Sequence, residues 1–384
     1  MKISFATPYY ISGMGIENRI TELAKNLPKD IEKNILCLDY KRMPKRDIEL
    51  KRMILPFRFF SAHNLTKYNF ISKYITKKYF SLISKSDLID CQYFPMTLLK
   101  APKKIITWHS VTFPEYALNE KEGRRWNKEF KAMIKDMHKT DLIVPVSKWA
   151  EQEVKEHIPN AKTEVIYNGV DLDKFRFKPL ELRKKNILVV GRFTPHKGYE
   201  EAISIYNEVI KELKDPEINL IMAGRNDNLD YYNKLKIFSK KLVEKQKNQE
   251  KEILKNKSGK IKKNKENKII FFDNLTDTQI MAIYQNADIF VSCSHWEGFG
   301  MPLIEAQSCG LPSFAYNICS HPEVIANKNN LANENDIWDI AEKIKILLTD
   351  KKKYNLESIK ARKFAENFDW KLITQKYLST IQKI

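Results

Sequence analysis

The stretch DIFVSCSHWEGFGMPLIEAQSCGLPSFAY, residues 288–316, decides the fold. DIFVSCS is an apolar run of strand length without clean alternation, as in a parallel strand buried on both faces. HWEGFG is a turn that two glycines permit. MPLIEAQSCG reads as a helix, with Pro302 near its first position and Gly310 as its stop. LPSFAY returns as a strand. Strand, turn, helix and strand are the repeating unit of an open α/β sheet, in which the turn after the strand's carboxyl end is where ligands bind.

The same rhythm extends in both directions. KISFAT (2–7), NILCLD (34–39), DLIDCQ (87–92), KIITWHS (104–110), DLIVPVS (141–147) and EVIY (164–167) are the expected strands of a first half. NILVVG (186–191), INLIMAG (218–224) and KIIFFD (268–273) join DIFVSCS and LPSFAY in a second. Helical patterns such as 200–213 and 276–286 lie between them. Two successive sets of alternating strand and helix predict an α/β fold of two Rossmann-like, doubly wound parallel-sheet domains facing each other across a cleft. A chain of 384 residues has the length for two cores. The turn at Asn168-Gly169 sets the expected domains at 1–170 and 171–369. A last helix covers about Trp370 to Lys383, and periodicity does not say where it docks.

Composition narrows the function classes. The chain is 43% hydrophobic and 30% charged, which is globular rather than disordered. Its net charge of +19 predicts an anionic partner: nucleic acid, an anionic membrane surface or a phosphorylated small molecule. Much of the excess is local. Between Lys245 and Lys268 ten lysines stand against three glutamates, a Lys-rich insertion near 242–268 that reads as a solvated helix extension or as a foot for membrane or polyanion. KYNFISKYITKKYFSLISK (67–85) reads as a packed amphipathic helix or a membrane-surface one. Five widely spaced cysteines without a CxxC pair predict neither disulfide framework nor zinc site, which fits a reducing cytoplasm. The opening MKISFATPYY lacks a long apolar core, and no window reaches membrane-span length, so neither a secretory signal nor an integral membrane protein is expected.

Two loops carry the candidate chemistry. Glu297 stands on the turn after DIFVSCS and Glu305 in the helix that follows, whose N-terminus offers unpaired N–H groups to an anion such as phosphate. Carboxylates flanking that spot suit the hydroxyls of sugars. The alternative is that Glu305 complements the helix dipole and Glu297 is solvated. In NILVVGRFTPHKG (186–198), Arg192 and Lys197 fall at the carboxyl rim of another strand, where two cations could clamp a diphosphate, although either could be an exposed base.

GRFTPHKG, NGVDLDKF and above all EGFGMPLIEAQSCGLP, with its E-x7-E spacing, resemble the retaining glycosyltransferases of family 4, which have the GT-B fold. The resemblance covers most of the chain. It implies that Arg192 and Lys197 bind the diphosphate of a UDP- or GDP-linked sugar and stabilise its leaving charge, with Glu297 on the donor sugar and Glu305 on the ribose hydroxyls. Gly298 to Pro302 line the sugar and phosphates, through backbone N–H groups around Phe299, Gly300 and Met301. Phe272 and Asp273 line the base pocket, His109 of TWHS stands by the transferred sugar, and Gly15 approaches the donor phosphate. The implied chemistry is a retaining, front-face transfer without cofactor or metal, in which the departing phosphate helps take the acceptor's proton. The first domain is then the acceptor-binding domain, joined by the helix 370–384, and the second binds the nucleotide sugar. Basic KRMPKRDIELKRMILPFR (41–58) points to a glycan or lipid-linked acceptor and a peripheral membrane location. Two departures stand out: Met14 separates Gly13 from Gly15, and CSHPEV (319–324) replaces the family's glycine-rich turn before Pro-Glu.

Two other classes compete. SGMGIEN (12–18) with Asp39 imitates the dinucleotide fingerprint of an NAD(P)-dependent oxidoreductase. Against it, Asn18 occupies the third glycine position, the residues from Pro8 to Gly13 separate strand from turn, and the Arg192, Lys197, Glu297 and Glu305 set goes unexplained. A non-enzymatic polyanion binder fits the charge, but no helix-turn-helix, RNP or zinc-finger pattern is present and no nucleic-acid partner is expected.

Overall fold

Parallel pairing accounts for every strand contact in the protein's computed structural model, which describes residues 1–11, 15–41, 85–93, 96–99, 101–110, 127, 130–131, 133–135, 137–177, 185–215, 217–255 and 268–384. The segments 12–14, 42–84 and 256–267 lie outside these residues, and with them the Gly13-Met14 pair of the first loop, all but the last residue of the predicted helix at 67–85, most of the basic 41–58 stretch and the middle of the Lys-rich insertion. Among the described residues no helix is long and apolar enough to cross a membrane.

The chain divides into two units, Met1–Gly169 with Phe368–Ile384, and Val170–Asn367. In the first, β1 (Lys2–Ile11), β2 (Glu32–Lys41), β3 (Leu88–Cys91), β4 (Lys104–Trp108) and β5 (Leu142–Pro145) form a sheet in the order β2-β1-β3-β4-β5. Helix α1 (Gly15–Asn26) follows β1, and α2 (Lys148–His157) follows β5. Neighbouring positions on a strand feed opposite cores. Ile3, Phe5 and Ile105 pack with Ile20 and Leu23 of α1, whereas Ala6 and Ile106 pack with Ala150 and Val154 of α2. Apolar side chains are therefore needed on both faces, which removes the alternation.

In the second unit β6 (Asn186–Val190), β7 (Asn219–Gly224), β8 (Lys268–Asp273), β9 (Ile289–Ser292), β10 (Ser313–Tyr316) and β11 (Leu331–Ala332) are ordered β11-β10-β9-β6-β7-β8. Between and after them run α3 (Tyr199–Leu213), α4 (Leu229–Lys255), α5 (Asp277–Gln285), α6 (Met301–Ser308), α7 (His321–Val324), α8 (Ile337–Thr349) and α9 (Lys351–Ala365). Ile187, Val189, Ile289 and Val291 meet Ile203, Tyr206, Ile340 and Ile344 in the core on one face. The insertion begins as a helix, since α4 continues to Lys255.

Three expectations are corrected. EVIY is not a strand. It runs beside β5, with Glu164 N–H on Ile143 O and Ile166 N–H on Pro145 O, but the carbonyls of Ile166 and Tyr167 accept from the Arg19 guanidinium instead of continuing a ladder. β1 extends beyond KISFAT to Ile11 because its pairing with β2 continues through Tyr9, Tyr10 and Ile11. The strand therefore ends close to the α1 turn, and the wide gap held against a dinucleotide loop does not exist. β11 was not expected, since two residues carry no readable period.

Helix α10 (Trp370–Ile381) belongs to the first unit. Its Trp370, Ile373, Tyr377 and Ile381 join the core of Phe5, Ile35 and Leu88. Phe5 and Tyr377 rings stack with centroids 6.1 Å apart.

Candidate active site

β6 and β9 are neighbours in the second sheet, so the loops leaving their carboxyl ends meet. The β6 loop rises through Arg192 to Lys197 and turns at Gly198, whose φ is +64°. A Cβ on Gly198 would lie 2.1 Å from the carbonyl oxygen of Cys293, so only glycine allows the first loop to lie on the second strand. His295 N–H donates to His196 O at 2.8 Å and ties the loops together. Lys197 Nζ consequently reaches Glu297 Oε1 and forms an ion pair with it.

Lys197, Glu297, Gly300 and Pro302 line one cavity with Val189, Val190, Ser292, Ser294 and Leu303. Burial pushes the Glu297 carboxyl up, but Lys197 and then His321 outweigh it and hold the group below its ordinary value. Glu297 is thus an anion, and the solvated alternative fails. Gly300, at φ 88°, caps α6 with Pro302 in its first turn, so the helix's unpaired N–H groups open beside the cavity.

Glu305 is not in the first turn of α6, and the helix dipole does not account for it. Its Oε2 accepts from Tyr284 Oη at 2.9 Å. Burial drives the carboxyl up to about 7, against the Tyr284 hydrogen bond and the Lys174 charge. Tyr284 lies in the last turn of α5, whose start Thr276 marks in a capping box with Gln279, and its ring meets Phe175 edge-on at 5.5 Å. Arg192 is exposed at the rim. With Lys197 it bears on the neighbouring His196, whose imidazole burial and those cations lower to about 3. Phe272 and Asp273 end β8, two strands from β6, or about 10 Å along the rim. They do not line the Lys197 and Glu297 cavity, and Phe272 is 37% exposed.

The turn in place of the glycine-rich one takes part in this arrangement. Ser320 Oγ donates to Glu297 O at 2.8 Å. His321, fully buried, donates from Nδ1 to Tyr316 O at 3.0 Å, and its ring lies 3.8 Å from where a Gly300 Cβ would stand. Sequence reasoning missed Tyr284, Ser320 and His321. The departure of CSHPEV from the family pattern was the only signal for the last two.

In the first unit His109 follows β4, with Nε2 at 2.9 Å from Gln92 Oε1. Burial and then the Arg19 charge lower it to about 3, so it is neutral. Gly15 opens α1 and is exposed, and no described atom lies within 4 Å of a Cβ built there. Among the described residues no group of three or more His, Cys, Asp and Glu side chains could hold a metal ion.

Comparison with known proteins covers both units. The family model "Glycosyl transferases group 1" matches residues 171–364, and "Glycosyltransferase Family 4" matches residues 14–174. The serotype-specific mannosyltransferase WbdA of Escherichia coli is 27% identical over 252 residues, 62% of this chain, and the match spans 28% of WbdA. A glycosyltransferase of Methanocaldococcus jannaschii, MJ1178, is 27% identical over 96% of this chain and 95% of its own. Among solved structures, HepE of Anabaena in complex with UDP-glucose superposes with a TM-score of 0.72 at 16% identity, covering 100% of both chains.

Proposed function

Since the chain belongs to the group 1 glycosyl transferases and has their GT-B fold, we propose that it moves a sugar from a nucleoside-diphosphate sugar to an acceptor hydroxyl with retention at the anomeric carbon. The observation that carries this reading is the cavity where Lys197 and Glu297 meet beside the N-terminus of α6. A cation and helix N–H groups suit a diphosphate, and a carboxylate held ionised suits sugar hydroxyls.

Arg192, Lys197 and the N–H groups after Gly300 stabilise the leaving diphosphate as the anomeric carbon becomes oxocarbenium-like, the largest contribution such a site can make. Glu297 holds the donor sugar, and Glu305, positioned by Tyr284, holds the ribose diol. Phe272 and Asp273, farther along the rim, are the candidates for the base pocket. His109 and Gly15 are the first unit's candidates for donor contacts. The transfer is a front-face one that uses neither a protein nucleophile nor a metal, and the departing phosphate assists removal of the acceptor's proton. UDP and GDP are both candidate nucleotides, the former supported by the UDP-glucose held by HepE. The acceptor is a glycan or lipid-linked saccharide, and the excess positive charge supports a place at an anionic membrane surface, in the cytoplasm.

A panel of nucleoside-diphosphate sugars, scored for hydrolysis and for protection against thermal unfolding, tests the reading. At least one is expected to stabilise the protein and turn over, and Arg192→Ala and Glu305→Ala are expected to lose about 100-fold or more in turnover or donor binding. Stabilisation by NAD or NADP alone would overturn it.

A further inference from the structure

Helix α9 has an outer face left exposed within the second unit, and its inner face is fixed by contacts to three separate segments. Tyr354 Oη donates to Asp288 O at 3.0 Å, Glu357 Oε2 accepts from Asn327 Nδ2 at 2.9 Å, and Arg362 Nη1 donates to Ser308 O at 2.8 Å. The helix is thereby held against rolling, and the same side chains always face outward.

Between 351 and 363 the exposed positions are five lysines, Asn355, Leu356 and Ile359, and none is an acid. Lys352, Leu356, Ile359 and Lys363 are spaced four, three and four residues apart, which sets them along one line on the helix surface. Leu356 is 60% exposed and Ile359 58%. An isolated exposed leucine is ordinary, but these two aliphatics are neighbours with a lysine at each end of their line. Folding does not explain Ile359, since it stands largely outside the core and its β-branch makes it a poorer helix former than lysine or glutamate. Among the described residues Lys351, Lys352, Lys353 and Lys363 pair with no carboxylate, while Lys360 reaches Glu357 at 3.2 Å. The acids at the two ends are engaged: Asp350 accepts from the Lys353 N–H at the cap, and Glu366 from Arg362 Nε at 3.2 Å. The face is cationic around an apolar centre.

The chemistry separates the partners that could cover it. A second copy of the same face would set lysines against lysines. Nucleic acid would engage the lysines and leave Leu356 and Ile359 without an apolar partner. An anionic bilayer matches both, with headgroups for the lysines and the acyl boundary beneath them for the aliphatics. We propose that the outer face of α9 is a docking surface for an anionic lipid membrane, with Leu356 and Ile359 entering the acyl boundary between Lys352 and Lys363. It rests on the membrane location proposed above and stands apart from the sugar transfer. Two aliphatics make a shallow anchor, so attachment is reversible and salt-sensitive, each lysine contributing about fivefold in partition.

Sedimentation of the full chain with vesicles of phosphatidylcholine alone, and of phosphatidylcholine with phosphatidylglycerol, tests the surface. Binding is expected to the anionic vesicles only and is expected to weaken as salt is raised. Lys352→Glu with Lys363→Glu, and separately Leu356→Ser with Ile359→Ser, are each expected to weaken it about tenfold or more. Lys29→Glu with Lys103→Glu, exposed positions ahead of β2 and β4, makes the same change of charge elsewhere and is expected to cost much less. An equal loss in that control, or full binding in either α9 variant, overturns the assignment, and full binding leaves the membrane location to another face. Self-association that disappears in Leu356→Ser with Ile359→Ser, without vesicle binding, gives the face to a second copy and overturns it too. Thermal midpoints, and their rise with a bound sugar nucleotide, are expected to be unchanged in both α9 variants, so failure of the surface and failure of the transfer reading are told apart.

Discussion

Glu305 and His295 show how one residue's surroundings set its charge. Glu305 titrates near 7 because burial resists its ionisation, and Tyr284 and Lys174 offset only part of that cost. As an acceptor for a ribose diol it must be ionised, so donor affinity is expected to rise with pH through about 7. Tyr284→Phe removes a hydrogen bond from the carboxylate and should move this midpoint upward, and Glu305→Gln should flatten the profile. Isothermal titration against the donor checks both, and a midpoint unmoved in Tyr284→Phe would remove Tyr284 from the account. His295 is raised above its ordinary 6.5, first by its hydrogen bond to Glu201 and, against burial, by Glu334. A group whose affinity for a proton rises on folding contributes its full stabilisation below the unfolded value and loses it as pH passes the folded one. Thermal stability should therefore decline above pH 6.5 more steeply in the unaltered protein than in His295→Gln, and equal slopes would count against the two ion pairs.

At the scale of elements, the decisive contact is the β6 loop lying on β9. The local pattern shows a turn at Lys197-Gly198, but not that the Cys293 carbonyl lies against it. Gly198→Ala brings a Cβ to 2.1 Å from that oxygen at a φ of +64°. It should cost about 1–3 kcal/mol in chemical denaturation and displace Lys197 from Glu297, lowering turnover. Unchanged stability and turnover would mean that the loops do not depend on this approach. Boundaries inside elements were legible where chemistry is local. Pro302, Gly300 and Gly310 mark the two ends of α6, and Thr276 with Gln279 marks the start of α5. EVIY was misread because its pattern is that of a strand, while the guanidinium that takes its carbonyls comes from residue 19.

For the whole molecule, α10 is the element whose place no pattern foretells. Its apolar stripe says only that one face is covered. In the fold it closes the first unit's core, with Trp370 against Gly169, where a Cβ would come within 2.5 Å of the indole. Trp370→Ala is expected to cost about 3–5 kcal/mol, read as loss of amide-exchange protection in β1, β3 and α1; protection unchanged there would place α10 outside that core. The sequence by itself determined the two sets of parallel strands, the turn and helix of 288–316, and the placing of Glu297, Arg192 and Lys197 on loops after strand ends and of Glu305 in the helix that follows, because period, glycine and proline act over a few neighbouring residues. Only the tertiary structure decided that Lys197 pairs with Glu297, that Tyr284 bears on Glu305, and that Ser320 and His321 underlie the turn. Those facts are made of burial and hydrogen bonds between residues distant in the chain, and such contacts leave no trace in local spacing.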